Sequence, residues 1–273
     1  MAAFDPRAGA GMIDALTAIS MSAAAAIRRS GRESGLHIKP DGSPVTAADE
    51  TAEGVIREGL AQLAPDLPIV SEEHASREKT TIKAPSYFLV DPLDGTREFI
   101  AGRDEYTVNI AVVADGAPIL GVIAAPALGL MWRGIVGRGA ERLKFSEDKA
   151  SGPEAIHTRA RPAGELVVMV SRSHLDAPTQ AYLNGLPHTQ LIGCGSSVKF
   201  CRLAEGAADH YPRLGPTRDW DVAAGHALLV AAGGSVIGPD GTALAYGTPE
   251  LRIPAFFAWG GPAPTKGALK GGY

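Results

Sequence analysis

Val90-Asp91-Pro92-Leu93-Asp94-Gly95-Thr96 runs from an apolar segment into two acids, then a glycine, then a hydroxyl. The residues before it, Tyr87–Val90, read as a buried strand, and Gly95 permits a backbone angle that a side chain would strain. Both carboxylates and the Thr96 hydroxyl can therefore converge beyond the strand's end. Such oxygen donors suit Mg²⁺, which keeps several waters and needs only a few carboxylates and a backbone carbonyl. A capped turn, with Asp91 and Asp94 bonded to local N–H groups, is the plainer alternative.

Outward from this stretch, a second short apolar run, Pro68–Ser71, leads to Glu72-Glu73 much as Leu89-Val90 leads to Asp91. If the two strands are neighbours, the acids meet. Unpaired, they would raise one another's pKa values, and a divalent ion would remove that cost while making its own affinity pH-dependent. Taken alone, Glu72 and Glu73 are ordinary solvated charges. Trp220-Asp221 precedes the apolar helix Val222–Val230 and reads as an N-cap with a packed Trp, a position that a metal ligand can also occupy. His226, inside that helix, reads as a core histidine. The sequence contains no H-E-x-x-H, no G-x-S-x-G and no Walker A motif, so the zincin, serine hydrolase and P-loop readings fall.

The flanking segments complete the fold class. Ala8–Arg29 is rich in helix formers, and Thr46-Ala-Ala-Asp49 follows the turn Lys39–Pro44 as a capping-box-like start to a helix reaching about Leu63, with Asp49 in its first turn. Thr107–Ala114, the turn Asp115-Gly116, Ile119–Ala125 and Met131–Val136 form an antiparallel meander. After a polar, Pro-bearing stretch at Lys144–Pro162 the pattern alternates: strand Leu166–Val170, helix Asp176–Leu183, strand Gln190–Ile192, helix Ser197–Glu205, strand His210–Leu214 and helix Asp221–Ala232. The reading is α+β followed by α/β, with a boundary near residue 150 dividing an N-terminal unit (1–150) from a C-terminal one (151–273).

The bulk numbers constrain function. A formal net charge of −4 over 273 residues argues against binding a nucleic-acid polymer, although a bound cation can still attract a small phosphorylated substrate. The two cysteines, Cys194 and Cys201, lack C-x-x-C spacing and read as reduced thiols. No basic leader precedes Asp5, and no run approaches the roughly 18 apolar residues of a membrane span. A cytoplasmic protein is expected, with peripheral contact at the inner membrane and the choice between monomer and homodimer left open. Thr265–Tyr273 is expected to be loose.

Asp91-Pro-Leu-Asp-Gly-Thr96, with Ser71-Glu-Glu73 upstream and Trp220-Asp221 downstream, resembles the inositol monophosphatase superfamily. The likeness extends from about Asp41 to Gly234. In detail it is similar to the CysQ-type 3′(2′),5′-bisphosphate nucleotidase branch, through Gly42-Ser-Pro-Val-Thr-Ala-Ala-Asp49, Tyr106-Thr-Val-Asn-Ile110, Ser171-Arg-Ser-His174, Gly195-Ser-Ser-Val-Lys-Phe-Cys201 and Tyr211-Pro-Arg-Leu-Gly-Pro216. Arg97 stands where that branch commonly has Lys.

The resemblance implies a layered αβαβα phosphatase with its metal site between two sub-domains. Two or three Mg²⁺ ions would be held by Glu72, Asp91, the Leu93 carbonyl, Asp94 and Asp221. Thr96, supported by Asp49 and acting with Glu72, would orient the attacking water, and the Gly95 and Thr96 amides would hold the phosphate. It further implies in-line displacement without a phosphoenzyme, inhibition by lithium, and a place in sulfur metabolism. Ser173, His174, Ser197, Lys199 and Arg213 are the candidate substrate contacts. Inositol-phosphate enzymes usually carry an acid at the position of Arg213, and a guanidinium there suits a second phosphate. Adenosine 3′,5′-bisphosphate (PAP), converted to AMP and phosphate, is the expected substrate, with conversion of 3′-phosphoadenosine 5′-phosphosulfate (PAPS) to adenosine 5′-phosphosulfate beside it. Lys199 and Arg213 could equally be solvated surface charges, and His174 a structural residue. The competing readings are an inositol-1-phosphate, histidinol-phosphate or fructose-bisphosphate phosphatase of the same fold, and a catalytically silent metal- or anion-binding module.

Overall fold

The computed structural model describes residues 9–32, 34–40, 42–75, 82, 84–146, 149–173 and 175–264. Met1–Arg7, Asp41, His174 and Thr265–Tyr273 lie outside the described residues. Helix α1 (Gly9–Arg29) buries Leu16, Ser20, Ala23 and Ile27, a stripe at helical spacing. The short ribbon β1 (His37–Ile38) and β2 (Pro44–Val45) leads into α2 (Ala47–Leu63), which buries Ala48, Ala52, Ile56 and Leu60. Thr46 caps α2, and Asp49 closes the capping box expected of Thr46-Ala-Ala-Asp49.

Strand β3 (Ile69–Ser71) and the one-turn α3 (Glu72–Ala75) come next, followed by β4 (Ser86–Asp94) and α4 (Thr96–Ile100). The meander is β5 (Thr107–Ala114), β6 (Ala117–Ala125), β7 (Leu130–Ile135), β8 (Gly139–Phe145) and β9 (Ala150–Ile156), and β3 to β9 form one seven-stranded sheet in sequence order. At the β5–β6 turn Asp115 and Gly116 both have positive φ (50° and 77°), which is why an Asp-Gly pair stands there. Strands β8 and β9 fall partly inside the stretch read as polar and irregular. Most of β9 is exposed, so the apolar alternation that marks a strand is missing. The first sheet thus continues to Ile156, past residue 150.

The second half contributes β10 (Leu166–Ser171), α5 (Ala177–Asn184), β11 (Thr189–Cys194), α6 (Val198–Ala204) and β12 (His210–Arg213). It ends with β13 (Thr217–Arg218), α7 (Asp219–Ala231), β14 (Ser235–Ile237), β15 (Arg252–Ile253) and β16 (Phe256–Trp259). The five-stranded sheet has the order β11-β10-β12-β16-β14.

Alternate residues of β4 enter different cores. Phe88 and Val90 face α1 and α2, whereas Tyr87 and Leu89 join the core holding Val222, Leu228 and Phe200 of α7 and α6. A sheet covered on both faces reads as a continuous apolar run, and Tyr87–Val90 does. The layers run α1/α2, first sheet, α6/α7, second sheet, with Leu183 of α5 on the outer side against Leu166, Val168 and Val170. This is the αβαβα expectation. At Gly121 of β6 a Cβ would stand 2.2 Å from the Ala224 carbonyl oxygen, so only glycine lets α7 lie this close to the sheet.

Candidate active site

Strand β3 runs parallel to β4 with Ser71 opposite Val90, so the residue after each pair partner, Glu72 on one side and Asp91 on the other, emerges at the same sheet end. Strand β4 does not stop at Val90, as its apolar run suggests, but pairs with β5 through Asp91↔Asn109 and Asp94↔Thr107. The four residues Asp91 to Asp94 therefore oppose only three on β5. This bulge accommodates Pro92, which has no N–H to give, and turns the Asp94 side chain to the side of Asp91. Gly95 follows at φ 93°, where a Cβ would stand 3.2 Å from the Glu105 carbonyl oxygen and 3.3 Å from Ser196, before Thr96 starts α4.

The third acid arrives from α7. This helix begins at Asp219 rather than Asp221, which places Asp221 in the first turn and not at the cap. Its Oδ2 accepts from the Thr217 hydroxyl and from the Arg218 N–H at 3.1 Å. One carboxylate oxygen each from Glu72, Asp91 and Asp221 lies within 4.8 Å of the others. Asp94 stands beside them: its Oδ2 is 2.8 Å from the Ser197 hydroxyl and 3.3 Å from Asn109 Nδ2, and Asn109 also donates to Ser197 at 2.9 Å.

Gathering acids in a half-dry site disfavours the charged forms of Glu72, Asp91 and Asp94. Burial pushes the Glu72 carboxyl up to about 8 against the pull of Lys39, with Asp221 and Glu73 adding to the rise. Burial likewise raises Asp91, reinforced by Glu72, Asp94 and Asp221, and it raises Asp94, reinforced by Asp221. Lys39 offsets part of this repulsion, its Nζ lying 2.7 Å from Glu72 and 2.6 Å from Glu73. A hard divalent cation fits the donor set, since it would neutralise oxygens that otherwise repel.

Beside the acids, Thr96 Oγ1 donates to Asp49 Oδ1 at 2.9 Å and lies 3.2 Å from the Leu93 carbonyl oxygen. Asp49 Oδ2 accepts from the N–H and hydroxyl of Thr46 at 2.7 and 2.6 Å. The acids and Thr96 open onto a cleft of about 570 Å³ whose lining includes Glu72, Asp91, Asp94, Gly95, Thr96, Ser197, Lys199, Arg213 and Asp221.

Two expected substrate contacts already have partners within the protein. Ser173 is not among the cleft's lining residues but donates to Glu98, which is, as is Ser171. Lys199 lines the cleft, but its Nζ already donates to the Ser196 carbonyl at 2.6 Å and the Cys194 carbonyl at 3.3 Å. His226 is a satisfied core residue, with Nδ1 2.9 Å from the Tyr246 hydroxyl, and Cys194 and Cys201 are free, buried thiols. Lys39, Asn109 and Thr217 are site residues that the sequence reading passed over. Asn109 sits in the quoted Tyr106–Ile110 motif, but no local pattern marked its side chain.

The profile of the inositol monophosphatase family matches residues 11–265. The chain belongs to that family. A 3′(2′),5′-bisphosphate nucleotidase CysQ from Shigella flexneri is 46% identical over 209 residues, covering 76% of this chain and 81% of the relative. The protein of that name from Buchnera aphidicola is 41% identical over 198 residues and 72% of each chain. Among solved structures of the inositol monophosphatase family, CysQ from Bacteroides thetaiotaomicron superposes with a TM-score of 0.76 at 32% identity, covering 91% of this chain and 97% of its own. An inositol monophosphatase from Anabaena gives 0.72 at 25% identity, covering 92% and 91%. No helix among the described residues is long and apolar enough to cross a membrane.

Proposed function

We propose that the protein is a Mg²⁺-dependent phosphomonoesterase that removes the 3′-phosphate of PAP to give AMP, and of PAPS to give adenosine 5′-phosphosulfate. The observation that carries this reading is the meeting of Glu72, Asp91 and Asp221 within 4.8 Å of one another, beside a threonine hydroxyl tied to a buried aspartate. The nucleotide substrate class comes from the names of the 46% and 41% identical relatives.

In this reading Glu72, Asp91, the Leu93 carbonyl, Asp94 and Asp221 hold two or three ions. Bound there, the ions supply Lewis acidity and a lowered pKa for water. Thr96 commits its proton to Asp49, which leaves its oxygen lone pairs to accept from an incoming water and fix its direction. The water oxygen forms a bond to phosphorus as the bond to the ribose 3′ oxygen breaks. The water's proton passes to Glu72, and the leaving oxygen takes one from solvent. The Gly95 and Thr96 amides hold the phosphoryl oxygens as their charge grows. Ser197 keeps Asp94 in place, and Arg213, half-buried on the cleft wall, meets the second phosphate.

One panel tests the proposal: phosphate release from PAP, PAPS, inositol 1-phosphate and histidinol phosphate, each with Mg²⁺ and with chelator. The nucleotides should be turned over fastest, and only with the metal. In the same panel Arg213→Glu should lower the ratio of PAP to inositol 1-phosphate turnover, and an unchanged ratio would remove Arg213 from the substrate site. Metal binding with no phosphate released from any compound would make the protein a silent binding module.

A further inference from the structure

Strands β13 and β15 form a two-stranded antiparallel ribbon whose register sets Arg218 directly opposite Arg252. Both residues are exposed, and both line the cleft that holds Glu72, Asp91 and Asp221. Like charges directly opposite across a ladder destabilise it, and a ribbon this short has few other pairs to offset the repulsion. Thr217 and Ile253, their neighbours on the two strands, are buried, so the ribbon is anchored from below while its two guanidiniums stand at the lip. Among the described residues neither arginine is in an ion pair. Arg218 spends one N–H on the Glu250 carbonyl at 3.2 Å and lies 5.6 Å from the centre of the Trp220 ring, which holds it in place and leaves most of its donors unspent.

Arg213 belongs to the same wall but is half-buried, so the cations are graded from the interior to the lip. Two guanidinium forks carried on paired positions can both donate N–H groups to the oxygens of one tetrahedral anion, and such an anion would remove their mutual repulsion. We infer that Arg218 and Arg252 together form an outer subsite for an anionic group of the substrate remote from the scissile phosphate. The inference deepens the proposed function and rests on it. The ligand class is a nucleotide whose far end carries a tetrahedral oxyanion, either the outer oxygens of the 5′-phosphate that Arg213 meets from within or the sulfate joined to it.

The test compares the full chain, the double variant Arg218→Ser/Arg252→Ser, and a control that loses the same charge outside the cleft, Arg29→Ser/Arg138→Ser. Each is assayed with Mg²⁺ on adenosine 3′-monophosphate, PAP and PAPS. The cleft variant should lose kcat/KM on a multiply charged nucleotide by at least about tenfold more than on the monophosphate, mostly through KM. The control should show no such selectivity. Selective loss on both PAP and PAPS assigns the pair to the 5′-phosphate; selective loss on PAPS alone assigns it to the sulfate. An equal loss on all three substrates, or the same selectivity in the control, overturns the subsite. If the unaltered chain releases phosphate from none of them, the parent reading fails. Calorimetric binding of PAP then decides the subsite by itself: weaker binding in the cleft variant than in the control retains it, and equal binding removes it.

Discussion

Thr96 Oγ1 lies 2.9 Å from Asp49 Oδ1, and the other oxygen of Asp49 is held by two donors from Thr46. A carboxylate gripped at both oxygens cannot turn, so the Thr96 proton has one direction and its lone pairs another. The same aspartate closes the capping box of α2, and a helix terminus therefore sets the aim of a hydroxyl in the cleft.

Removing that hydroxyl separates rate from binding. Thr96→Ala should lower kcat by roughly 10²–10⁴, the range of a positioned acid–base group, while Mg²⁺ still raises the melting temperature. Asp49→Asn should lose rate and also stability, by about 1 kcal/mol, because the cap weakens with it. Steady-state phosphate release and thermal melts check both. A Thr96→Ala enzyme with near-normal kcat would take Thr96 out of the mechanism.

Lys39 does in the metal-free protein part of what a cation does. It contacts Glu72 at 2.7 Å and Glu73 at 2.6 Å, and only 8% of its side chain is exposed. Lys39→Met leaves both carboxylates without this partner, Glu72 beside Asp91 and Asp221 and Glu73 near Asp49 and Glu53, and breaking a buried pair from one side costs a few kcal/mol. The discount for Glu72, which keeps 24% of its side-chain exposure, is modest. Melts with chelator should show the variant well below the unaltered protein. With saturating Mg²⁺ the gap should narrow. A gap that Mg²⁺ leaves unchanged would mean that Lys39 serves packing and not the charge balance of the site.

Much of this site can be read in the sequence because its acids follow apolar runs, and a buried strand pointing at a carboxylate is a local signal. Asp91, Asp94 and Thr96 were legible for that reason, and so was Asp49 through its capping box with Thr46. The pairing of β3 with β4, which brings Glu72 to Asp91, could be stated only as a condition, because register between strands is not a local property. Lys39 was illegible, since a lysine in a Pro- and Gly-rich turn carries no mark of the two glutamates some thirty residues away. Strand β9 was missed because its residues face solvent, and α7 was started two residues late because Asp219 is buried where a polar cap would ordinarily be exposed. The Arg218–Arg252 pair depends on a ribbon of two residues per strand, too short to leave a pattern.

The acid cluster also predicts how the protein answers to metals. Asp94→Asn keeps a similar shape and can still bond to Ser197, but it loses a negative oxygen beside Asp221. Turnover at ordinary Mg²⁺ should fall by at least about two orders of magnitude. Mg²⁺ should also raise the melting temperature of the unaltered protein far more than that of the variant. Chelator should abolish phosphate release. Near-normal rates for Asp94→Asn at ordinary Mg²⁺ would refute its assignment as a ligand.

Acid should unfold the protein partly through His210. The ring is fully buried, stacked on Trp259 with centroids 3.6 Å apart and planes 10° apart; Nδ1 is 2.9 Å from the Ala258 carbonyl oxygen and Nε2 is 3.1 Å from the Tyr182 hydroxyl. The Nδ1–H therefore donates to the carbonyl, and Nε2 accepts from the tyrosine. Burial lowers the ring's pKa to about 3, whereas in the unfolded chain it titrates near the ordinary value of 6.5. A group depressed on folding stabilises fully above its unfolded pKa and loses that contribution as pH falls, here from about 6.5 towards 3, because only the unfolded chain takes up the proton. The amount at stake is on the order of a few kcal/mol. His226, lowered by burial to about 4, adds to the same slope. His210→Gln retains a donor and an acceptor but cannot titrate, so it should be less stable at pH 7 and yet lose less on going to pH 4.5. Urea unfolding at pH 7, 5.5 and 4.5 measures this, and parallel losses for the two proteins would show that His210 contributes nothing to the acid limb.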